Sequence, residues 1–200
     1  MERIGIFGGT FDPPHLAHLT LAAEAFRQLN LTRLLWVLTP DPPHKPGRPI
    51  TPLALRLEML QAALAGRPEY QLSRVEIDRP PPHYAAETVR LLRAEYPWDF
   101  LIYLMGGDSL RDLTQWHQPD AFLRGLDSLG VMRRPGAGID FQQLEARFPG
   151  VGGKILWVRA PLSAQSSSAI REAVRSGKPV DQLIPQSVGL IIEREKLYRA

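Results

Sequence analysis

The stretch "RIGIFGGTFDPPHLAHLTLAAEAF", Arg3 to Phe26, sets two glycines, a threonine, an aspartate and two histidines between a short apolar run and a segment of helical spacing. The opening run, "RIGIF", has strand length and stops at Gly8 and Gly9. Beyond it Leu16, Leu19, Ala22, Phe26 and Leu29 recur at three and four residues, the period of one helix face. The strand-then-helix unit repeats. "RLLWVLT" from Arg33, "YQLSRVEI" from Tyr70, "DFLIYLM" from Asp99, "SLGVM" from Ser128 and "KILWV" from Lys154 read as further strands, and Leu53, Leu57, Leu60 and Leu64 mark a further helix. Strands alternating with helices imply an α/β fold: a Rossmann-like, doubly wound parallel sheet, covered on both faces and connected by right-handed crossovers. With 200 residues, no internal repeat and no composition break, residues 1–200 form one domain.

Composition narrows the function. Hydrophobic residues make up 44% and charged residues 22%, the balance of a soluble globular chain rather than a disordered or fibrous one. The formal charge of +3 comes from scattered arginines, which suits small anionic ligands; nucleic-acid binding would call for a dense basic stripe interleaved with aromatics. Without cysteine there is no disulfide, no thiolate nucleophile and no Cys-ligated metal. Met1-Glu2-Arg3 leads straight into a strand, with no signal-peptide pattern, and no window reaches membrane-span length. A cytoplasmic protein without nucleic-acid or membrane partners is expected, and a homo-oligomer is compatible with the sequence. The tail from Pro185 to Ala200 reads as a helix of structural role.

Two proline-dense stretches, "TPDPPHKPGRPITP" from Thr39 and "DRPPPHY" from Asp78, each follow an expected strand. In an open α/β sheet, loops at the carboxyl ends of strands form the ligand crevice, so both are candidate binding loops. Gly8 and Gly9 sit at the end of the first strand and can let main-chain N–H groups approach a phosphate closely, although a tight turn would use the same pair. They form neither a G-x-G-x-x-G fingerprint nor a P-loop. His15 and His18 lie three apart where the helix begins, near the positive end of its dipole. There they can meet phosphate oxygens, pair on a metal, or cap the helix. Far along the chain, "LSAQSSSAIREAVRSG" places serines at another helix start, with Arg171 offering a fork of donors from its first turn.

Taken together, "GGTFDPPHLAH" resembles the nucleotidyltransferase motif GxFDPxHxGH, with Ala17 in place of a glycine, and Ser166, Ser167, Ser168, Ile170 and Arg171 resemble ISSTxIR. "MGGDSLRDLTQWHQPD" resembles GxDSxxxxxxW, "PPHK" resembles a loop that supplies a lysine to substrate phosphate, and "DRPPPHYAAETV" resembles SYTxDT, with Ala85 where a threonine is usual. The chain thus resembles the adenylyltransferases, in particular the bacterial nicotinate-nucleotide adenylyltransferase family.

That resemblance implies transfer of the adenylyl group of ATP to nicotinate mononucleotide, with release of pyrophosphate. It assigns ATP binding to Gly8, Gly9, Thr10, Phe11, His15, His18, Gly106, Asp108, Ser166, Ser167, Ser168 and Arg171. The mononucleotide falls to His44, Lys45, Tyr84, Ala85, Thr88 and Trp116, the last stacking on the pyridine ring. His15, His18, Lys45 and Arg171 carry the chemistry, and Mg²⁺ is carried mainly by the ATP phosphates, with few protein ligands. The alternatives are an adenylyltransferase for nicotinamide mononucleotide or phosphopantetheine, and a module that senses nucleotides without chemistry. Pantothenate synthetase shares the H-x-x-H helix but needs a longer chain.

Overall fold

The computed structural model describes residues 1–42, 49–132, 138–161 and 165–199. Its sheet comprises β1 (Arg3–Gly9), β2 (Arg33–Leu38), β3 (Tyr70–Ser73), β4 (Phe100–Gly106), β5 (Ser128–Met132) and β6 (Ile155–Val158). The strands lie in the order β3-β2-β1-β4-β5-β6, and every neighbouring pair is parallel. Strand order reverses between β1 and β4, so the chain has the topological switch point at which open α/β sheets bind their ligands.

Alternation along the strands covers both faces. On β2, Leu34, Trp36 and Leu38 join one apolar cluster while Leu35 and Val37 join the other. The first cluster is roofed by Leu19, Ala22 and Ala25 of α1 (Leu16–Gln28) and by Leu60 and Leu64 of α2 (Leu53–Leu64). Val89 and Leu92 of α3 (Ala85–Glu95) cover the other face. They are joined there by Leu110 of α4 (Gly107–Arg111) and Phe122 of α5 (Pro119–Arg124). The short α6 (Phe141–Arg147) and α7 (Val151–Lys154) precede β6. A third cluster joins Met59 and Ala63 on α2 to Ile170 of α8 (Ser167–Arg175) and Val188, Ile191 and Ile192 of α9 (Gln186–Arg194). This packing brings the C-terminal elements back towards the end of β1.

All six expected strands are present, with three differences of extent. β3 stops at Ser73 instead of running to Ile77, because Arg74 turns back to grip Asp78 at 2.6 Å and the Asp78 N–H donates to the Arg74 carbonyl. Gly8 and Gly9 lie within β1, paired with Val37 and Leu38, and not beyond it. The tail is helical only to Arg194 and then turns so that Tyr198 reaches Asp12. Among the described residues no helix is long and apolar enough to cross a membrane.

Candidate active site

At the end of β1 the two glycines are required by contact rather than by turn geometry. A Cβ on Gly8 would stand 2.9 Å from the Tyr103 hydroxyl, and one on Gly9 2.8 Å from the Phe11 ring. The left-handed residue of this turn is Phe11, with φ 46°. Its ring is buried against Phe7, Trp36 and His18, a packing that offsets the cost of that conformation. Phe11 is therefore an anchor beneath the site.

His15 is the N-cap of α1, and His18 its third residue. The His18 N–H donates to His15 Nδ1 at 3.3 Å while the His15 N–H donates to His18 Nδ1 at 3.2 Å, a reciprocal capping box built from two imidazoles. The rings stack with centroids 3.6 Å apart. Since both Nδ1 atoms accept, each neutral ring carries its proton on Nε2. The structure shows the capping role among those the sequence left open, and the cap places each ring proton on Nε2.

Burial lowers the His15 pKa from 6.5 to about 4. Between those values the unfolded chain takes up a proton that the folded chain refuses, so stability is full above the upper value and falls with acid through the window. The loss is about 3 kcal/mol at most. His15→Asn keeps a capping oxygen but does not titrate, and should flatten the decline of the thermal midpoint between pH 6.5 and pH 4.5. Parallel declines in wild type and variant would remove His15 as the cause.

The second motif meets the first directly. Ser166 caps α8, its Oγ accepting from the Ala169 N–H. Ser167 Oγ donates to the Pro13 carbonyl at 3.0 Å, and an Arg171 terminal nitrogen donates to the Asp12 carbonyl at 2.7 Å. The other terminal nitrogen of Arg171 lies 3.3 Å from Ser168 Oγ. Segments more than 150 residues apart thus share one wall. In this arrangement the single Ser167 proton is spent on Pro13, so its side chain ties the motifs together, whereas the backbone N–H groups of Ser167 and Ser168 have no carbonyl within the helix to bind.

Across the switch point, Gly106 ends β4 and Asp108 is the second residue of α4, its carboxylate 3.6 Å from Arg111. Trp116 is half-buried, tilted against Phe122 and edge-on to Tyr103, the residue whose hydroxyl faces Gly8. Tyr84, the N-cap of α3, stacks on His117 at 4.0 Å, which draws the start of α3, with Ala85, towards the Trp116 segment. Thr88 differs from expectation. It is 1% exposed and its hydroxyl donates to Glu76 at 2.5 Å while Arg79 donates to it, so it fixes the first turn of α3 from below rather than meeting a ligand. His44 and Lys45 lie outside the described residues.

Three residues that the sequence reading passed over hold this site. Asp12, 4% exposed, accepts from the Tyr198 hydroxyl at 2.7 Å and from the Thr51 N–H at 3.3 Å. Arg56, 1% exposed, is the third and touches four carbonyls. Its position was a usable signal, since an arginine stands on the buried face of α2 with Met59, Leu60 and Ala63. Tyr198 had none, lying in a charged tail. Among the described residues no three His, Cys, Asp or Glu side chains gather as a metal site.

The chain is similar to known proteins in sequence and in shape. The sequence pattern of the cytidylyltransferase-like family matches residues 6–173. A probable nicotinate-nucleotide adenylyltransferase of Thermomicrobium roseum is 45% identical over 199 residues, covering all of this chain and 92% of its own. The nicotinate-nucleotide adenylyltransferase of Bacillus subtilis is 38% identical over the full length of both chains. In shape, a Plasmodium falciparum nicotinic acid mononucleotide adenylyltransferase complexed with NaAD superposes with a TM-score of 0.79 at 18% identity, over 99% of this chain and 98% of that one.

Proposed function

Because the chain belongs to the nicotinate-nucleotide adenylyltransferase family, within the cytidylyltransferase-like proteins, we propose how its residues divide the work of that reaction. The substrates are ATP and nicotinate mononucleotide, and the products are deamido-NAD and pyrophosphate. An oxygen of the mononucleotide 5′-phosphate attacks the α-phosphorus of ATP in line. The bond from that phosphorus to the bridging oxygen of the β-phosphate breaks, and pyrophosphate leaves with the electron pair. The nucleophile is already an anion, so the protein has only to position the groups and neutralise charge.

The observation that carries this reading is the meeting of the histidine-capped start of α1 with Ser167 and Arg171 of α8 across Asp12 and Pro13. His18 Nε2–H stabilises charge at the reacting phosphorus, and His15, held neutral by burial, donates beside it. The main chain at Gly8, Gly9 and Thr10 holds the triphosphate from one side. Arg171, with the N–H groups at the start of α8, holds the β- and γ-phosphates from the other. Asp108 accepts from a ribose hydroxyl, and Gly106 leaves room for the nucleotide above β4.

Trp116 stacks on the pyridine ring, and the backbone N–H groups at Ala85 and Ala86 meet its carboxylate, needing no threonine side chain. Lys45 orients the attacking phosphate, with His44 beside it, on the strength of the sequence resemblance. Mg²⁺ carried by ATP would supply charge neutralisation for the leaving pyrophosphate. Asp12 is already engaged by Tyr198, Thr51 and Arg171, which fits an ion carried by the nucleotide rather than caged by the protein. A cytoplasmic setting, where both nucleotides occur, suits this chemistry.

Pyrophosphate release with ATP and Mg²⁺ tests the reading when nicotinate mononucleotide, nicotinamide mononucleotide and phosphopantetheine are offered separately. The expected result is a kcat/KM for the acid at least about 10²-fold above that for the amide, the size of a missed charged hydrogen bond at a buried site. Preference for the amide would make nicotinamide mononucleotide the substrate and remove the carboxylate contact given to Ala85 and Ala86.

A further inference from the structure

The side chain of Arg56 donates from Nε to the Thr51 carbonyl at 2.8 Å. One terminal nitrogen donates to the Thr10 carbonyl at 3.0 Å and the Thr39 carbonyl at 2.8 Å, and the other to the Pro40 carbonyl at 2.6 Å. These four carbonyls belong to three separate pieces of chain: the turn after β1, the exit of β2 and the approach to α2. A structural arginine on the buried face of a helix usually finds a carboxylate. This one is filled by neutral backbone oxygens, and Asp12, the acid whose field acts on it most, turns its carboxylate to Thr51 and Tyr198. Burial pulls the guanidinium down from its usual range, opposed by the field of Asp12.

We propose that Arg56 is a positioning residue for catalysis, a planar fork that sets the carbonyl of Thr10, and through it the phosphate-facing main chain of the β1 turn, against the exit of β2. The inference rests on the assignment of the Thr10 turn to ATP. Three properties make the residue suited to the task. A guanidinium presents donors in one rigid plane, so its partners are fixed relative to one another and not merely attracted. Carbonyl acceptors in three segments are each bound from one direction, so the fork relates three pieces of chain to one another where a carboxylate would tie it to a single residue. The Thr39 N–H donates to the Gly9 carbonyl at 3.0 Å, tying the exit of β2 to the end of β1, so the fork and the ladder together define one geometry. A shift of about 1 Å in this turn would suffice to lower turnover about 10²-fold, even though Arg56 itself is buried beneath the site.

The test compares Arg56→Lys with wild type by thermal unfolding and by full kinetics in both substrates. Lysine keeps the charge but cannot span three segments. The expected outcome is a folded enzyme with kcat reduced at least about tenfold and KM for ATP raised, while KM for the mononucleotide stays within about twofold. A lowered thermal midpoint with kcat and both KM values unchanged would show Arg56 to be structural only and overturn the proposal. Should Arg56→Lys fail to fold, Arg56→Ala is assayed with methylguanidinium and, at equal ionic strength, with methylammonium. Recovery of turnover with methylguanidinium alone supports positioning by the fork; refolding without turnover, or no rescue by either ion, overturns it. His18→Ala is assayed alongside. A near-normal kcat there would indict the site assignment itself, whereas loss in His18→Ala with an unaffected Arg56→Lys would indict only Arg56.

Discussion

Replacing His18 by alanine is expected to lower kcat by about 10²–10³-fold while leaving the protein folded. The magnitude follows from removing one preorganised donor aimed at charge that develops only in the transition state. Stability changes much less. His18 contributes half of the reciprocal cap, its Nδ1 accepting from the His15 N–H, and losing one such interaction costs about 1 kcal/mol, or about 2–4 °C in the midpoint of a chain of this size. The two effects therefore separate by measurement. His18→Asn sharpens the distinction, because its amide oxygen can still accept from the His15 N–H but its geometry no longer places a ring Nε2–H in the site. It should recover stability and not turnover. A folded His18→Ala enzyme with near-normal kcat would sink the role given to the α1 start, and the phosphate chemistry would have to be carried by Arg171 and the main chain alone.

The sheet was legible because its information is local and periodic. β2 alternates Leu34, Trp36 and Leu38 against Leu35 and Val37, and the same pattern of double coverage recurs on β4. Both end motifs were legible for a related reason, that each places its polar groups beside a helix start. What the residues alone could not show was that those starts touch, since nothing local connects Ser167 with Pro13. Contact between them depends on the C-terminal helices packing on the far side of α2, a property of the third apolar cluster as a whole.

Misreadings have a physical pattern too. Gly8 and Gly9 read as a phosphate cradle or a tight turn after the strand, yet they are strand residues kept small by Tyr103 and Phe11, and such steric demands come from residues distant in sequence or folded back by an unusual φ. Thr88 matched a motif position and so was assigned to substrate, although its hydroxyl is committed to Glu76, whose carboxyl is pushed up by burial. Motif positions mark what a family keeps near a site. They do not distinguish the groups that meet the ligand from those that hold such groups in place, and Thr88, Ser167 and Phe11 all show holding contacts here.

Arg171→Ala should be the more damaging change for ATP, with kcat/KM for the nucleotide reduced about 10²–10³-fold and the thermal midpoint also lowered. Two losses combine. The first is the charge-assisted contact proposed to the β- and γ-phosphates, for which no other described side chain on α8 offers a cation in the first turn. The second is the bond from Arg171 to the Asp12 carbonyl, with the Asp12 carboxylate itself 3.9 Å away and almost wholly buried. A hydrogen bond from a charged donor is worth about 1.5–3 kcal/mol, so the cost to stability should exceed that of His18→Ala. Arg171→Lys separates the parts. A single ammonium can serve the Asp12 carbonyl or a phosphate, but not both with the reach of a fork, so lysine should restore most of the stability while KM for ATP stays high. The same substitution would leave KM for the mononucleotide near normal, because the pocket proposed for the pyridine ring, at Tyr84, Ala85 and Trp116, lies on the opposite side of the switch point. Equal recovery of stability and ATP affinity in Arg171→Lys would mean that charge alone, and not the fork that joins the two motifs, is what this position supplies.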